Sequence, residues 1–316
     1  MSLTMVAPIH ISVMVAEVVE ALGVKPGGRY IDGTVGAGGH SAAVLDRAGA
    51  AGRILGIDAD PDAIRLAETR LRKYGQAVSL VNDNFVNMGA IAKEHGFVPA
   101  DGILLDLGLS SMQVEAAGRG FSFRLDAPLD MRFNPAQEVT AADIVNTYSE
   151  TELARLIFEY GEERRSRRIA RGIIQSRPVR TTLELAQVVA SAVGGRHSRV
   201  HPATKTFQAL RIAVNSELAN LETALKEAVD LLGHGGRLVV ISYHSLEDRI
   251  VKQFMKREAA GCVCLPGTPV CKCGRAPTMK LVTKKVIVPS EAEVLMNPRS
   301  RSARMRVAER LGFGGR

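Results

Sequence analysis

The chain has 316 residues, a formal net charge of +8, 46% apolar and 23% charged residues. That balance belongs to a globular protein of one large or two ordinary domains. No stretch approaches the roughly 20 apolar residues of a membrane span, and no basic-then-apolar leader is seen, so a cytoplasmic location with no membrane partner is expected. The positive charge admits a polyanionic partner such as nucleic acid without demanding one.

Helical apolar spacing runs from Ile9 to Leu22, where Gly23 stops it. Arg29–Asp32 reads as a first strand, followed by a Gly-rich turn and a helix over Ser41–Ala48. Ile54–Asp58 is a second strand. Asp60-Pro61 then supplies an N-cap and a proline at the first helical position, for a helix reaching about Tyr74. Val78–Val81 is a third strand, a short helix ends at Glu94, and Gly102–Asp106 is a fourth strand. Such alternation predicts a parallel sheet covered on both faces. From about Met112 to Ile212 the signals turn helical, with candidates at Thr140–Asn146, Glu150–Tyr160, Ser166–Ser176 and Leu183–Val193. Alternation resumes with a helix at Ser216–Leu232, a Gly235-Gly236 turn, a strand at Arg237–Tyr243 and a helix at Leu246–Glu258. Lys280–Val288 and Arg304–Ala308 read as the last two strands. The organisation expected is a discontinuous core, residues 1–111 and 213–316, with a helical insertion at 112–212.

The turn after the first strand carries the chemistry. Gly36 and Gly38 begin a G-x-G-x-x-G pattern, but its third glycine falls on Ser41. Asp32, just before the glycines, would repel a pyrophosphate, yet could hold the amino group of a methionine moiety. Asp58 lies at the offset of about 20 residues from which an acid accepts from a ribose diol. Asp60 is better placed to cap the next helix, which leaves Asp58 for a ligand. A methionine-bearing nucleoside such as S-adenosylmethionine fits this order better than a dinucleotide. Ligands of open α/β sheets sit beyond the carboxyl ends of the strands. Asp32 to His40, Asp58, Asp83 to Phe85, Asp106 to Ser111 and Ser242 to Ser245 all fall there.

Phe85 offers an aromatic face to an adenine or to the core. His40 opens a helix, whose dipole disfavours an imidazolium, so a neutral hydrogen-bonding ring is expected. Asp106 can accept a proton from an amino group under attack, or can hold the amino-acid end of the cofactor. Tyr243 and His244 end a strand at the same rim, where His244 is a candidate to orient a base or accept a proton, with a buried hydrogen-bonded histidine as the alternative. No aromatic residue follows Asp106 directly, so Phe121, Phe123, Phe133 and Tyr243 are the candidates to grip a base. The core motifs contain no cysteine nucleophile, which argues against carbon-5 chemistry.

Arg164, Arg168 and Arg171 fall on one helical face, with Glu162 and Glu163 as alternative partners, and Arg299 and Arg301 form a second basic cluster. Phosphate contact is the expected use of both. The four cysteines all fall in Cys262-Val263-Cys264 and Cys271-Lys272-Cys273. In a reducing compartment such pairs read as zinc ligands before disulfides, with unligated or redox-linked thiols as the alternative.

Several motifs are longer. They are Gly33-Thr34-Val35-Gly36-Ala37-Gly38-Gly39-His40-Ser41, Leu104-Leu105-Asp106-Leu107-Gly108-Leu109-Ser110-Ser111-Met112-Gln113, and Arg119-Gly120-Phe121-Ser122-Phe123 with Pro128-Leu129-Asp130-Met131-Arg132. His201-Pro202-Ala203-Thr204-Lys205-Thr206-Phe207-Gln208-Ala209-Leu210-Arg211, Ile241-Ser242-Tyr243-His244-Ser245-Leu246-Glu247-Asp248-Arg249 and Asn297-Pro298-Arg299-Ser300-Arg301-Ser302 complete the set. Over about His10 to Arg310 the chain resembles the RsmH/MraW family of ribosomal RNA small-subunit methyltransferases. The resemblance implies an α/β fold: a Rossmann-like core that binds S-adenosylmethionine, built on a mainly parallel seven-stranded sheet, with an inserted helical domain for RNA recognition. It implies methylation of the exocyclic N4 of a cytidine in the decoding centre of 16S rRNA, within the small ribosomal subunit. It also implies cofactor contacts at Gly38, Gly39, His40, Asp58, Phe85, Asp106 and Gln113, beside Asp32 and Gly36 from the turn itself, and RNA contacts that extend to Lys205 and Arg211. Lys205 stands where the motif often has arginine, which keeps the charge and loses the bidentate fork. A DNA amino-methyltransferase and a non-catalytic rRNA-binding assembly factor are the rival readings, and a dimer is an open alternative to a monomer.

Overall fold

The computed structural model describes residues 12–110, 113–114, 118–194, 201–262, 264, 270 and 273–312. They form two compact units, one running to Gly108 and resuming at Asn220, the other spanning Leu109–Ala219.

The first unit begins α1 (Val15–Leu22), β1 (Arg29–Asp32), α2 (Gly39–Ala48), β2 (Arg53–Asp58), α3 (Pro61–Leu71), β3 (Val78–Asn82), α4 (Met88–Glu94) and β4 (Ala100–Asp106). The second unit holds α5 (Ala141–Thr147), α6 (Glu150–Gly161), α7 (Ser166–Gln175), α8 (Thr182–Val193) and α9 (Thr204–Asn215). Then follow α10 (Glu217–Leu231), β5 (Leu232–Ser242), α11 (Ser245–Ala259), β6 (Met279–Leu281), α12 (Glu291–Met296) and β7 (Arg304–Arg310).

The seven strands make one sheet in the order β3-β2-β1-β4-β5-β7-β6. β1 to β5 are parallel, and β7 runs antiparallel to both β5 and β6. The mainly parallel seven-stranded sheet expected from the sequence is therefore present. Side chains alternate across it with the two-residue period of a strand. Ile31, Leu55, Ile103 and Leu105 join one buried layer with Leu221 and Leu225 of α10 and Val251 of α11. Tyr30, Ile54, Leu104 and Ile241 join the opposite layer with Val18 of α1, Val44 of α2 and Ala67 of α3. The chain winds outward from β1 in both directions, so the topological switch point lies between β1 and β4, where such sheets open a ligand crevice.

In the helical unit, α5, α6 and α8 each start at a reciprocal capping box, Thr140 with Asp143, Ser149 with Glu152, and Thr181 with Glu184. Ile144, Leu153, Ile157, Ile169, Leu185, Phe207 and Leu210 fill its core. α9 is a fifth helix beyond the four candidates; its N-cap is Ala203, with no side-chain capping bond, so no polar start signal marks it. The expected strand at Lys280–Val288 shrinks to Met279–Leu281 plus one bridge from Ile287 to Met305. It is the sheet edge, and its lysines keep an exposed edge short. β5 also begins before Arg237: the ladder jumps from Ala100↔Leu232 to Gly102↔Arg237, and Gly235, at φ 75°, sits inside the resulting bulge.

Candidate active site

The rim of the first unit is built by the turn after β1. Asp32 is 2% exposed. The Ser41 hydroxyl donates to its Oδ2 at 2.7 Å and the Thr34 amide to its Oδ1 at 3.3 Å. Asp32 thus braces the turn through both of its oxygens. Burial raises its pKa, against the charge of His40 and the bond from Ser41. Gly36 and Gly38 take φ of 51° and 77°, in the left-handed region that suits glycine. Gly38 is the N-cap of α2, and no side chain caps that helix. A Cβ on Gly39 would meet the Ser12 hydroxyl at 2.1 Å and Arg70 at 2.9 Å, so a larger residue there would have to displace both side chains.

Asp58 ends β2 facing this turn. Its Oδ2 accepts the Gly36 amide and its Oδ1 the Asp60 amide, each at 2.9 Å. Asp60 caps α3 through the Asp62 amide at 3.0 Å, which is the division of labour expected from Asp60-Pro61. Burial pushes Asp58 up to about 6, although two backbone hydrogen bonds favour its charge. Each carboxylate oxygen keeps a further lone pair for a hydroxyl donor. Phe85 opens a short 3₁₀ turn, Phe85–Asn87, behind β3, capped by the Asn84 side chain, and packs partly buried against the core.

Asp106 ends β4 at the centre of the rim. Its amide donates to Thr34 Oγ1 at 2.7 Å, tying the turn to the strand. The Tyr243 hydroxyl donates to its Oδ1 at 2.8 Å. His40 is 5% exposed, with Nε2 2.8 Å from the Val13 carbonyl and Nδ1 3.7 Å from Asp106 Oδ2. A carbonyl only accepts, so Nε2 carries a hydrogen toward Val13, and Nδ1 faces Asp106 Oδ2 beyond hydrogen-bond range. Burial lifts Asp106 to about 6, His40 and the Tyr243 bond oppose the rise, and Asp32 and Glu247 add to it. The Tyr243 hydroxyl is pushed well up by burial and by Asp106, so it stays a donor at neutral pH.

Thr34 and Glu247 are rim residues that sequence reasoning missed. Glu247 is 2% exposed, and its Oε2 accepts the Tyr243 amide at 2.8 Å and the His244 amide at 3.2 Å. His244 is the N-cap of α11, its Nδ1 accepting the Glu247 amide at 3.4 Å while Nε2 lies 3.0 Å from Glu247 Oε1. His244 thus caps α11 through Nδ1, while its buried Nε2, though close to Glu247, makes no hydrogen bond. The signal available was His244-Ser245-Leu246-Glu247, the spacing of a capping box. Gln113, in the helical unit, is 8% exposed, with Oε1 accepting the Ser110 amide at 3.0 Å.

Two other expectations change. Phe121 stacks on Phe133 at 5.6 Å, and Phe123 stacks on His201 at 4.5 Å and meets Phe207 edge-on. These rings build the core of the helical unit instead of standing open to grip a base. Among the expected RNA contacts, Arg211 is closed off: its Nε and Nη2 donate to Glu217 Oε1 and Oε2, both at 2.7 Å, and its side chain is 12% exposed. Lys205 donates to the Glu162 carbonyl at the end of α6. Arg164 precedes α7 and is not on its face, while Arg168 and Arg171 are on the helix and exposed, Arg171 beside Glu150 at 3.6 Å. Arg299 and Arg301 are exposed on a 3₁₀ turn, Pro298–Ser302. Cys262, Cys264 and Cys273 bring their sulfurs within 4.8 Å of one another; Cys271 lies outside the described residues.

The profile of the MraW methylase family matches residues 7–311. A protein named ribosomal RNA small subunit methyltransferase H from Dehalococcoides mccartyi is 60% identical over 302 residues, 96% of this chain and 86% of that protein. Proteins of the same name from Thermomicrobium roseum and Geotalea uraniireducens are 52% and 51% identical over 310 and 307 residues, covering 97% and 96% of this chain and 95% and 98% of theirs.

Proposed function

The chain belongs to the MraW methylase family, and from that premise we propose that it methylates the exocyclic N4 of a cytidine in 16S rRNA, with S-adenosylmethionine as donor and the small ribosomal subunit as substrate. It is a ribosomal RNA small-subunit methyltransferase, as its relatives are named. Among the described residues no helix is long and apolar enough to cross a membrane, and a cytoplasmic place of work accords with a ribosomal substrate.

The observation that carries the reading is that Asp58 and Asp106, at the strand ends of the rim, have no lysine or arginine partner among the described residues. S-adenosylmethionine supplies an electrophilic methyl on a sulfonium and carries an ammonium and a ribose diol, the cationic and hydroxyl donors that such acceptors suit. Asp58 is the residue to hold the diol, the His40–Asp106 pair to hold the ammonium, Phe85 to cover the adenine, and the Gly36–Gly39 turn to admit backbone contact. Asp106 is also the residue to act on the substrate. The amino nitrogen of cytosine is a poor nucleophile because its lone pair is delocalised into the ring. An acceptor for its N–H localises that pair and takes the proton once the methyl is in place. With a pKa near 6, Asp106 is ionised at neutral pH and can serve so. Tyr243 fixes the carboxylate rotamer. Arg164, Arg168, Arg171, Arg299 and Arg301 are the cations exposed to backbone phosphate.

Labelled donor offered with small subunits, naked 16S rRNA and duplex DNA tests this. The expected product is N4-methylcytidine in the small subunit. Label in DNA would favour a DNA amino-methyltransferase, 5-methylcytidine would overturn the chemistry, and RNA binding without donor binding would favour an assembly factor.

A further inference from the structure

The cysteine pairs play no part in the site above, yet they converge. Cys273 Sγ lies 3.8 Å from Cys262 Sγ, and Cys264 Sγ completes a trio whose sulfurs all fall within 4.8 Å. Tetrahedral zinc with Zn–S bonds of about 2.3 Å sets its sulfurs about 3.8 Å apart. Packing does not account for the cluster. A cysteine without a ligand is usually a buried apolar residue, whereas Cys262 and Cys273 are exposed and Cys264 only partly covered. None of the described residues from Gly261 to Thr278 is buried, and Val270 is 69% exposed.

The base of the loop is anchored on Glu258. Thr278 donates from its amide to the Glu258 carbonyl at 2.9 Å and from its hydroxyl to Glu258 Oε2 at 2.7 Å, and Arg275 donates to the same oxygen at 2.6 Å. One shared ion accounts for three sulfurs at this spacing on an exposed stretch.

We propose that Cys262, Cys264 and Cys273 bind one zinc ion as thiolates, stapling the loop between α11 and β6. Soft sulfur donors in tetrahedral spacing select zinc over the hard cations that prefer oxygen. Each thiol releases its proton on binding, so the ion is held more tightly as pH rises. Cys271 is the remaining thiol of the sequence pattern, and the proposal stands on the other three.

The test uses the full chain, purified without chelator or metal-affinity resin from zinc-replete cells. Elemental analysis is expected to find about one zinc per chain, lost on titration with a mercurial thiol reagent. The double variant Cys262→Ser/Cys273→Ser should retain less than about a tenth of that zinc while its affinity for S-adenosylmethionine stays within about two-fold. Zinc below about a tenth of an equivalent in the wild-type chain, iron in its place, or a mass two units low from a disulfide would each overturn the proposal. The wild-type zinc count decides even if the variant fails to fold, and donor binding reads out the methyltransferase site separately.

Discussion

Carboxylates at the sheet rim and carboxylates elsewhere in the molecule are treated in opposite ways. Away from the rim, acids meet cations. Arg211 grips Glu217, Arg306 reaches Asp248 at 2.7 Å, and Arg132 reaches Asp130 at 2.7 Å. Glu309 is held below its ordinary pKa by the Lys280 hydrogen bond, against burial, with Arg237 assisting. At the rim, Asp32, Asp58 and Asp106 have no lysine or arginine partner among the described residues, and burial raises all three. Where those ion pairs serve structure, a lysine or arginine is at hand, and the three rim acids have none among the described residues. The difference marks the rim as a place where an incoming cation completes the electrostatics.

The largest effect should come from breaking a structural pair. Arg211→Ala leaves Glu217, whose side chain is 10% exposed, without its guanidinium and should cost about 3–5 kcal/mol of unfolding free energy. Denaturant titration reads this. A loss of RNA affinity at unchanged stability would instead return Arg211 to the RNA surface.

The rim acids should act with the opposite sign. Asp106 has an ordinary pKa of 3.8 and a folded value of about 6, so its contribution to stability is full below about 4 and lost as pH rises through about 6. The cofactor-free protein should gain about 1–3 kcal/mol from this carboxyl between pH 8 and pH 5, a gain that Asp106→Asn abolishes. The same variant should lower turnover by ten-fold or more, about 1.4 kcal/mol. Near-normal turnover would confine Asp106 to holding the cofactor.

Tyr243→Phe should have the smallest effect, removing one hydrogen bond worth about 1 kcal/mol. Because that bond lowers the Asp106 pKa, its loss should move the acid limb of the turnover profile to higher pH, a shift that a merely structural role would not produce.

Much of this rim is legible in the sequence, for local reasons. Asp60-Pro61 announces a helix start within two residues, and that alone releases Asp58 for the turn opposite. Apolar runs that end in acids mark β1, β2 and β4 as strands and as ligand-facing ends together. What stays hidden depends on partners that local rules do not reach. Glu217 is six residues from Arg211, outside the helical pairing distances, and meets it because Ser216, at φ 50°, breaks α9 from α10. His244 has the composition of a proton acceptor, and only the orientation of its ring toward Glu247 makes it a cap. Phe121, Phe123 and Phe133 look like base clamps until their stacking partners are known.

The affinity of the intact protein for S-adenosylmethionine, measured by calorimetry from pH 8 to pH 5, tests most directly whether Asp58 and Asp106 receive the donor's diol and cation. Asp58 and Asp106 must be ionised to accept, so binding should be flat above about pH 7, weaken below about 6 by up to ten-fold per pH unit for each carboxyl, and release protons near the midpoint. Affinity that holds constant to pH 5, with no proton release, would contradict the account.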